Sequence, residues 1–176
     1  MSGVGPLTLD EDLGWYYSPS VPASALGGVV GQIVVAEDYP ADNDKDAVDR
    51  AVAAFLTSGN ALPAASTVVH AYYRDTVRLF REQGWDLDLP EIAEPASVWD
   101  HVSIGHEFHV ERDAERQVYV SVECECAWER EHGLQLVLLG GNTITKVGPF
   151  DGHVTNASAY GRPDLEGVVY VSPFSL

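Results

Sequence analysis

The sequence predicts an α+β fold in which an antiparallel β meander packs on a two-helix hairpin, with short strands near the N-terminus. Two patterns lead to this prediction. Between residues 42 and 84, apolar side chains recur at the spacing of an amphipathic helix, whereas from residue 99 onward they alternate with polar ones, as in half-buried strands. The length of 176 residues, of which 45% are hydrophobic, suits one domain with a sizeable core, spanning residues 1–176.

The N-terminal part, residues 1–39, is rich in Gly, Pro and Ser and contains three candidate strands at residues 7–9, 15–17 and 29–35. The last of these is the strongest, because its β-branched apolar residues are flanked by polar ones.

Two helices are predicted next, and they complete the first part of the domain at about residue 95. Asp42 to Asp44 supply an N-cap for the first helix, and Gly59 follows its end. Pro63 opens the second helix at a first-turn position, and Gly84 closes it. Because the loop between them is short, we expect the helices to be neighbours, followed by a connector over residues 86–95.

The second part, about residues 96–176, should form an antiparallel sheet of at least four strands with a C-terminal tail. Alternation over residues 102–110 and 118–126 predicts one hairpin, and residues 134–139 and 143–147 predict a second. One face of this sheet should pack on the helices. Residues 168–171 are a candidate last strand.

The charge of −17 and pI of about 4.4 restrict the classes of partner. Such a surface repels phosphate backbones and anionic lipid, so neither nucleic-acid nor membrane binding is expected. It favours a basic protein partner, or serves only to keep the protein in solution. No signal peptide is visible, which predicts a cytoplasmic location, and the oligomeric state stays open.

Two cysteines, Cys124 and Cys126, lie two residues apart on a predicted strand. Their side chains should point to the same face, too far apart for a disulfide. His106 is expected on that face as well, which would allow a Cys-Cys-His metal cluster. The favoured interpretation is that both cysteines are small core residues.

The strongest local feature is the segment at residues 127–133, which should form a loop between the two hairpins. Glu131 can orient the imidazole of His132. Asp151 and His153, in the loop after the fourth strand, should lie at the same end of the sheet. These four residues are the candidate set for a divalent metal or for general acid/base chemistry.

The same loop also has a structural interpretation. Trp128, the fifth candidate residue, would fill the edge of the core, and Gly133 would supply a positive φ. The charged groups would then tie the loop down by hydrogen bonds. No nucleotide, phosphate-loop or nucleophile motif occurs in the chain, so no cofactor is predicted apart from the divalent metal option.

Residues 119–170 resemble a family of bacterial domains of unknown function with the motif Cys-x-Trp-x-x-Glu-His-Gly-Leu. Residues 126–134 here read Cys-Ala-Trp-Glu-Arg-Glu-His-Gly-Leu, and residues 146–153 are similar to the family's following segment. The resemblance implies no established activity. Small acidic α+β domains of this kind are also similar to immunity proteins, which neutralise toxins from neighbouring cells, by analogy of class alone.

The expected function is therefore a protein-interaction or binding module, with an immunity-like role as its narrower form. The alternative is a metal-dependent enzyme or metal-binding domain that uses His132, His153 and the nearby carboxylates. An acidic structural domain without a site is the third interpretation.

Overall fold

The computed structural model describes residues 1, 3–85 and 88–175, so residues 86 and 87 of the predicted connector lie outside the described residues. The chain forms a mostly antiparallel sheet with several helices, an α+β fold. Its main elements are, in order, β1 (Thr8–Asp10), β2 (Trp15–Tyr17), β3 (Val21–Ala23), β4 (Val29–Ala36), α1 (Lys45–Thr57), α2 (Leu62–Glu82), β5 (Val102–Arg112), β6 (Val118–Cys126), β7 (Glu129–Leu139), β8 (Thr143–Gly148) and α3 (Asn156–Tyr160).

The described strands form one eight-stranded sheet in the order β1-β2-β4-β5-β6-β7-β8, with β3 paired to β4. All neighbours are antiparallel except β4 and β5, which run parallel. A parallel pair needs a long crossover connection, and here the connection contains α1 and α2. The N-terminal strands therefore extend the β5–β8 meander rather than forming a separate layer.

Both helices pack on one face of the sheet, where the main core lies. In α1, Phe55 is fully buried and its ring lies 5.0 Å from that of Phe108 on β5. In α2, Val69 and Tyr72 belong to the same core. Each side chain of this size contributes about 1.5–3 kcal/mol on full burial, so this interface is a main source of stability.

The helices form a corner, not the hairpin that the sequence predicts. They turn by 93° across residues 58–61. The link between the helices is attached to the segment that follows β3, since the Ala61 amide donates to the Ala25 carbonyl oxygen at 2.8 Å. Within the described residues no single helix is long and apolar enough to span a membrane, and only this bent pair taken together meets such a criterion.

Part of the other face of the sheet is covered by the segment that follows β8. Tyr119 of β6 and Val137 of β7 pack there against Val154. Residues 168–171 do not form the predicted last strand, although the Val147 amide of β8 donates to the Val169 carbonyl oxygen at 2.8 Å. The tail therefore lies along the edge of the sheet as an irregular segment.

A bulge in β5 overturns the prediction for His106. The β5–β6 register shifts between Ile104 and Phe108, so strict alternation breaks in this stretch. His106 is exposed, and its Nδ1 lies 2.7 Å from the Val30 carbonyl oxygen. It therefore does not share the buried face with Cys124 and Cys126.

Candidate functional site

The segment at residues 127–133 is a bulged strand start, not the loop predicted from the sequence. Ala127 and Trp128 alone form the turn between β6 and β7. The Cα pairs Cys124–Leu134 and Cys126–Glu129 leave residue 125 on β6 opposite residues 130–133 on β7. Four residues of β7 thus lie opposite one residue of β6, and this large bulge carries the side chains of Arg130, Glu131 and His132 into solvent.

Hydrogen bonds from Glu129 and Tyr72 hold the bulge in place. Oε1 of Glu129 accepts from the amides of Glu131, at 2.8 Å, and His132, at 3.3 Å. The hydroxyl of Tyr72 on α2 donates to the Gly133 carbonyl oxygen at 2.9 Å. Gly133 has φ = 59°, and a Cβ there would overlap the Cys124 carbonyl oxygen, so this position requires glycine.

Trp128 lies in the core beneath this turn. Its side chain is 1% exposed, and its ring packs edge-on against those of Tyr72 and Tyr73, with centroids 6.1 and 5.7 Å away. Nε1 of Trp128 is buried without a hydrogen-bond acceptor among the described residues. The candidate residue therefore supports the bulge from below and does not project from it.

An acidic groove lies beside the bulge, with a volume of about 750 Å³. The end of the 3-10 helix at Pro95–His101, the start of β5, the end of β6 and the bulge itself line it. Glu123 and Glu125 project into solvent because alternation along β6 turns Cys124 and Cys126 to the core. Its carboxylates belong to Asp100, Glu123, Glu125, Glu129 and Glu131.

Two groups in this groove can carry positive charge. Arg130 brings one guanidinium, and His101 brings an imidazole. Five carboxylates therefore face one permanent cation, and the negative potential of the whole chain adds to this imbalance. The alternation along residues 118–126 predicts that Glu123 and Glu125 face solvent on the same side of the strand. No sequence pattern predicts that Asp100 lies beside them, because it comes from the 3-10 helix at Pro95–His101.

Asp151 and His153 belong to a different cluster, around a lysine that sequence reasoning missed. Lys146 on β8 is 1% exposed. Its Nζ donates to Oε1 of Gln135 at 2.5 Å, to Oδ1 of Asp151 at 2.6 Å and to the His153 carbonyl oxygen at 3.0 Å. Burial lowers the pKa of Lys146, although its hydrogen bond to Asp151 acts in the opposite direction.

The four candidate residues therefore lie in two separate groups, with Glu131 and His132 on the bulge and Asp151 and His153 near Lys146. The segments do meet, because the Phe150 amide donates to the His132 carbonyl oxygen at 2.9 Å. However, the imidazole of His132 contacts Glu129, with Nδ1 3.5 Å from Oε2, whereas Asp151 binds Lys146. In the part of the chain that is described, no three His, Cys, Asp or Glu side chains stand together as metal ligands. Metal binding at Glu131, His132, Asp151 and His153 stays a prediction.

The two cysteines are core residues. Cys124 is 2% exposed and Cys126 is 6% exposed. Burial raises the pKa of Cys124 to about 12 and that of Cys126 to about 11, so both thiols are protonated at neutral pH. A protonated, buried thiol is neither a good nucleophile nor a good metal ligand.

Comparison with known families matches residues 3–154 to a family model described as "Domain of unknown function (DUF6985)". The chain belongs to this family. The match spans the eight strands of the described residues, α1, α2 and the residues that line the acidic groove. It includes residues 119–154 of the segment whose resemblance the sequence indicated and extends far toward the N-terminus, but it does not include residues 155–170. Comparison with curated proteins and with solved structures found no match.

Proposed function

We propose that this protein binds a basic protein partner through the acidic groove beside the β6–β7 bulge. The observation that carries the proposal is the lining of the groove, in which five carboxylates face the lone guanidinium of Arg130. Lysine or arginine side chains of a partner would supply the missing positive charge.

The positions of the carboxylates favour a partner that lies across the end of β6 and the bulge of β7. Glu123 and Glu125 come from the open face of β6, and Glu131 comes from the bulge. The Tyr72 and Glu129 contacts hold the bulge before any partner arrives. A site that is already ordered loses little conformational entropy on binding, so more of the charge attraction appears as affinity.

The charge of the whole chain supports the same proposal. A net charge of −17 attracts a basic partner over a distance of about 10 Å at moderate salt, and it speeds encounter more than it strengthens the final complex. An immunity-like role, in which the partner is a toxin, is the narrower form of this proposal. Its support is the acidic charge and the absence of any nucleophile motif from the sequence.

The experiment compares three baits in a lysate of the source organism at low and high salt: the natural protein, Glu123→Gln/Glu125→Gln, and Glu11→Gln/Glu37→Gln. The last pair has the same charge change, on exposed residues that follow β1 and β4 and do not line the groove. We expect one specific partner, captured best at low salt by the natural protein and the control. For that purified partner the groove variant should weaken affinity by about tenfold or more.

Two results would contradict the proposal. One is the recovery of no specific partner at either salt concentration. The other is a partner whose affinity falls equally in the groove variant and the control, since bulk charge and not the groove would then determine binding.

A further inference from the structure

A second groove, of about 690 Å³, lies between α2 and the connector that follows it. Arg74, Arg78 and Arg81 line it, at positions i, i+4 and i+7 of α2, which place the three side chains on one side of the helix. The whole chain has ten Lys and Arg residues against 27 Asp and Glu, so three arginines in one lining are a local excess of positive charge. We call this cavity the arginine groove.

Hydrogen bonds hold the two walls of the arginine groove together. The hydroxyl of Tyr73 on α2 donates to the Pro90 carbonyl oxygen at 2.8 Å and accepts from the Ile92 amide at 3.1 Å. Nε2 of His70 lies 2.8 Å from the Ile92 carbonyl oxygen, and this nitrogen carries a proton because a carbonyl oxygen can only accept. The groove is therefore formed before any ligand arrives, which lowers the entropic cost of binding.

The carboxylates of the lining already have partners. Glu82 accepts from Nε of Arg78 at 2.8 Å, and the guanidinium of Arg78 also lies 3.9 Å from the ring centroid of Phe174. Asp75 accepts from the Tyr170 hydroxyl at 3.0 Å. The lining holds three guanidinium groups and these two carboxylates, so its net charge is positive within a chain of charge −17.

Arg74 and Arg81 are the two arginines of the groove that can meet a ligand. Both are exposed, and neither takes part in an ion pair among the described residues. They are seven residues apart, which corresponds to about 10 Å along the helix. Val77 lies between them on α2, and its buried side chain lines the groove together with that of Ile92. Two anionic groups about 10 Å apart, with an apolar group between them, match this arrangement.

We propose that the arginine groove binds a short acidic peptide segment of another protein, in which two carboxylate side chains flank apolar ones. The carboxylates bind Arg74 and Arg81 through charge-assisted hydrogen bonds, and the apolar side chains lie against Val77 and Ile92. An extended chain rises about 3.3 Å per residue, so acidic residues three positions apart span the required distance.

The surrounding negative charge determines which anion fits. Asp88, Glu91 and Glu94 of the connector are exposed and lie outside the lining, where solvent and salt weaken their repulsion. At an ionic strength of about 0.15 M, charges more than about 8 Å away are largely screened, so a peptide with two charges responds mainly to the groove. A bilayer of anionic lipid or a second copy of the chain would meet many of the 27 acidic residues at once. A short segment is therefore favoured over both.

The test titrates the natural full-length protein with a capped tetrapeptide, Glu-Leu-Val-Glu, at about 0.15 M salt and follows backbone amide signals by NMR. We expect saturable shifts at Val77, Ile92 and Ala93, which line the groove. The Gln-Leu-Val-Gln peptide should bind about fivefold more weakly or worse, because it forms neither ion pair. Glu-Ser-Ser-Glu should also bind more weakly, because it brings no apolar group to the groove.

Arg74→Gln/Arg81→Gln should reduce the affinity for the Glu-Leu-Val-Glu peptide by about fivefold or more. Lys45→Gln/Arg50→Gln is the matched control, since it makes the same charge change on exposed residues of α1 that do not line the groove. This control should bind the peptide with nearly natural affinity.

Three results would overturn the proposal. They are equal affinity for the Glu and Gln peptides, an equal loss of affinity in the groove variant and its control, and shifts that map outside the arginine groove. Binding to phosphatidylserine vesicles that is lost in Arg74→Gln/Arg81→Gln, with no response to the peptide, would assign the groove to a membrane surface instead. Glu123→Gln/Glu125→Gln should leave the peptide response unchanged, so this site and the acidic groove are tested separately.

Discussion

Replacing Lys146 with methionine removes a buried charge while keeping a side chain of similar length. Oε1 of Gln135, a residue that is fully buried, would lose its donor, at a cost of about 1–3 kcal/mol. The His153 carbonyl oxygen would lose a hydrogen bond from a charged donor, worth about 1.5–3 kcal/mol before water replaces it. Asp151 is 33% exposed and can be hydrated, so its loss is discounted.

Methionine recovers part of this loss, since it needs no desolvation of an ammonium group. We expect a net decrease of about 2–4 kcal/mol in the free energy of unfolding, equivalent to about 5–15 °C in melting temperature for a chain of this length. Denaturant unfolding measures the decrease. Lys45→Met is the matched control, because Lys45, the other of the two lysines, is exposed at the start of α1 and should change stability by less than about 0.5 kcal/mol.

The pH dependence tests the cause. Burial lowers the pKa of Lys146 below its ordinary value of 10.5, so the folded state binds fewer protons than the unfolded state in the interval up to 10.5. Through that interval the natural protein should gain stability relative to Lys146→Met as pH rises. Groups present in both proteins cancel in this difference. A difference that instead shrinks with rising pH would show that attraction to Asp151 outweighs burial, and equal stability of the Lys146 and Lys45 variants would refute the reasoning altogether.

Four further predictions concern the bulge, the thiols and the metal alternative. His132→Ala should change the free energy of unfolding by less than about 0.5 kcal/mol in denaturant unfolding, because the imidazole is exposed. Gly133→Ala should cost at least about 2 kcal/mol in the same assay, from the positive φ and the overlap with Cys124. The natural protein should lose stability above pH 9, as the thiol pKa values of about 12 and 11 require, and Cys124→Ala/Cys126→Ala should flatten that decline. Zinc or manganese should leave the melting temperature unchanged, and a rise that depends on metal concentration would revive the metal-dependent alternative.

The sequence was sufficient for the elements whose side chains repeat with a regular period. The helices predicted within residues 42–59 and 63–84 correspond to α1 and α2, and the strands expected at 118–126 and 143–147 correspond to β6 and β8. Burial on one face imposes these periods, so they are visible without tertiary information. The parallel pairing of β4 with β5 is not visible in this way, because it joins strands 70 or more residues apart.

The candidate site was harder to predict because its shape depends on contacts between distant residues. The bulge at residues 130–133 is held by Tyr72, which lies 61 residues before Gly133. The β7 strand therefore begins earlier than its alternation suggests. Lys146 was missed for a related reason: a lysine on a strand is expected to face solvent, and here Gln135 and Asp151 bind it in the interior.

Few of the positive charges in the chain are available to balance the acidic groove. The chain has ten Lys and Arg residues against 27 Asp and Glu. Among the described residues, five of those cations form ion pairs away from the groove: Arg78 with Glu82, Arg112 and Arg116 with Asp42, Lys146 with Asp151, and Arg162 with Asp164. At least two of these pairs, those of Arg112 and Lys146, hold a loop to a strand of the sheet. Among the described residues Glu123 and Glu125 take part in no ion pair, and Arg130 is the one permanent cation that lines the groove with them, so neutralising these two carboxylates should relieve repulsion and leave the fold intact. Loss of partner affinity without loss of stability is therefore the result that separates a binding groove from an acidic surface that only keeps the protein in solution.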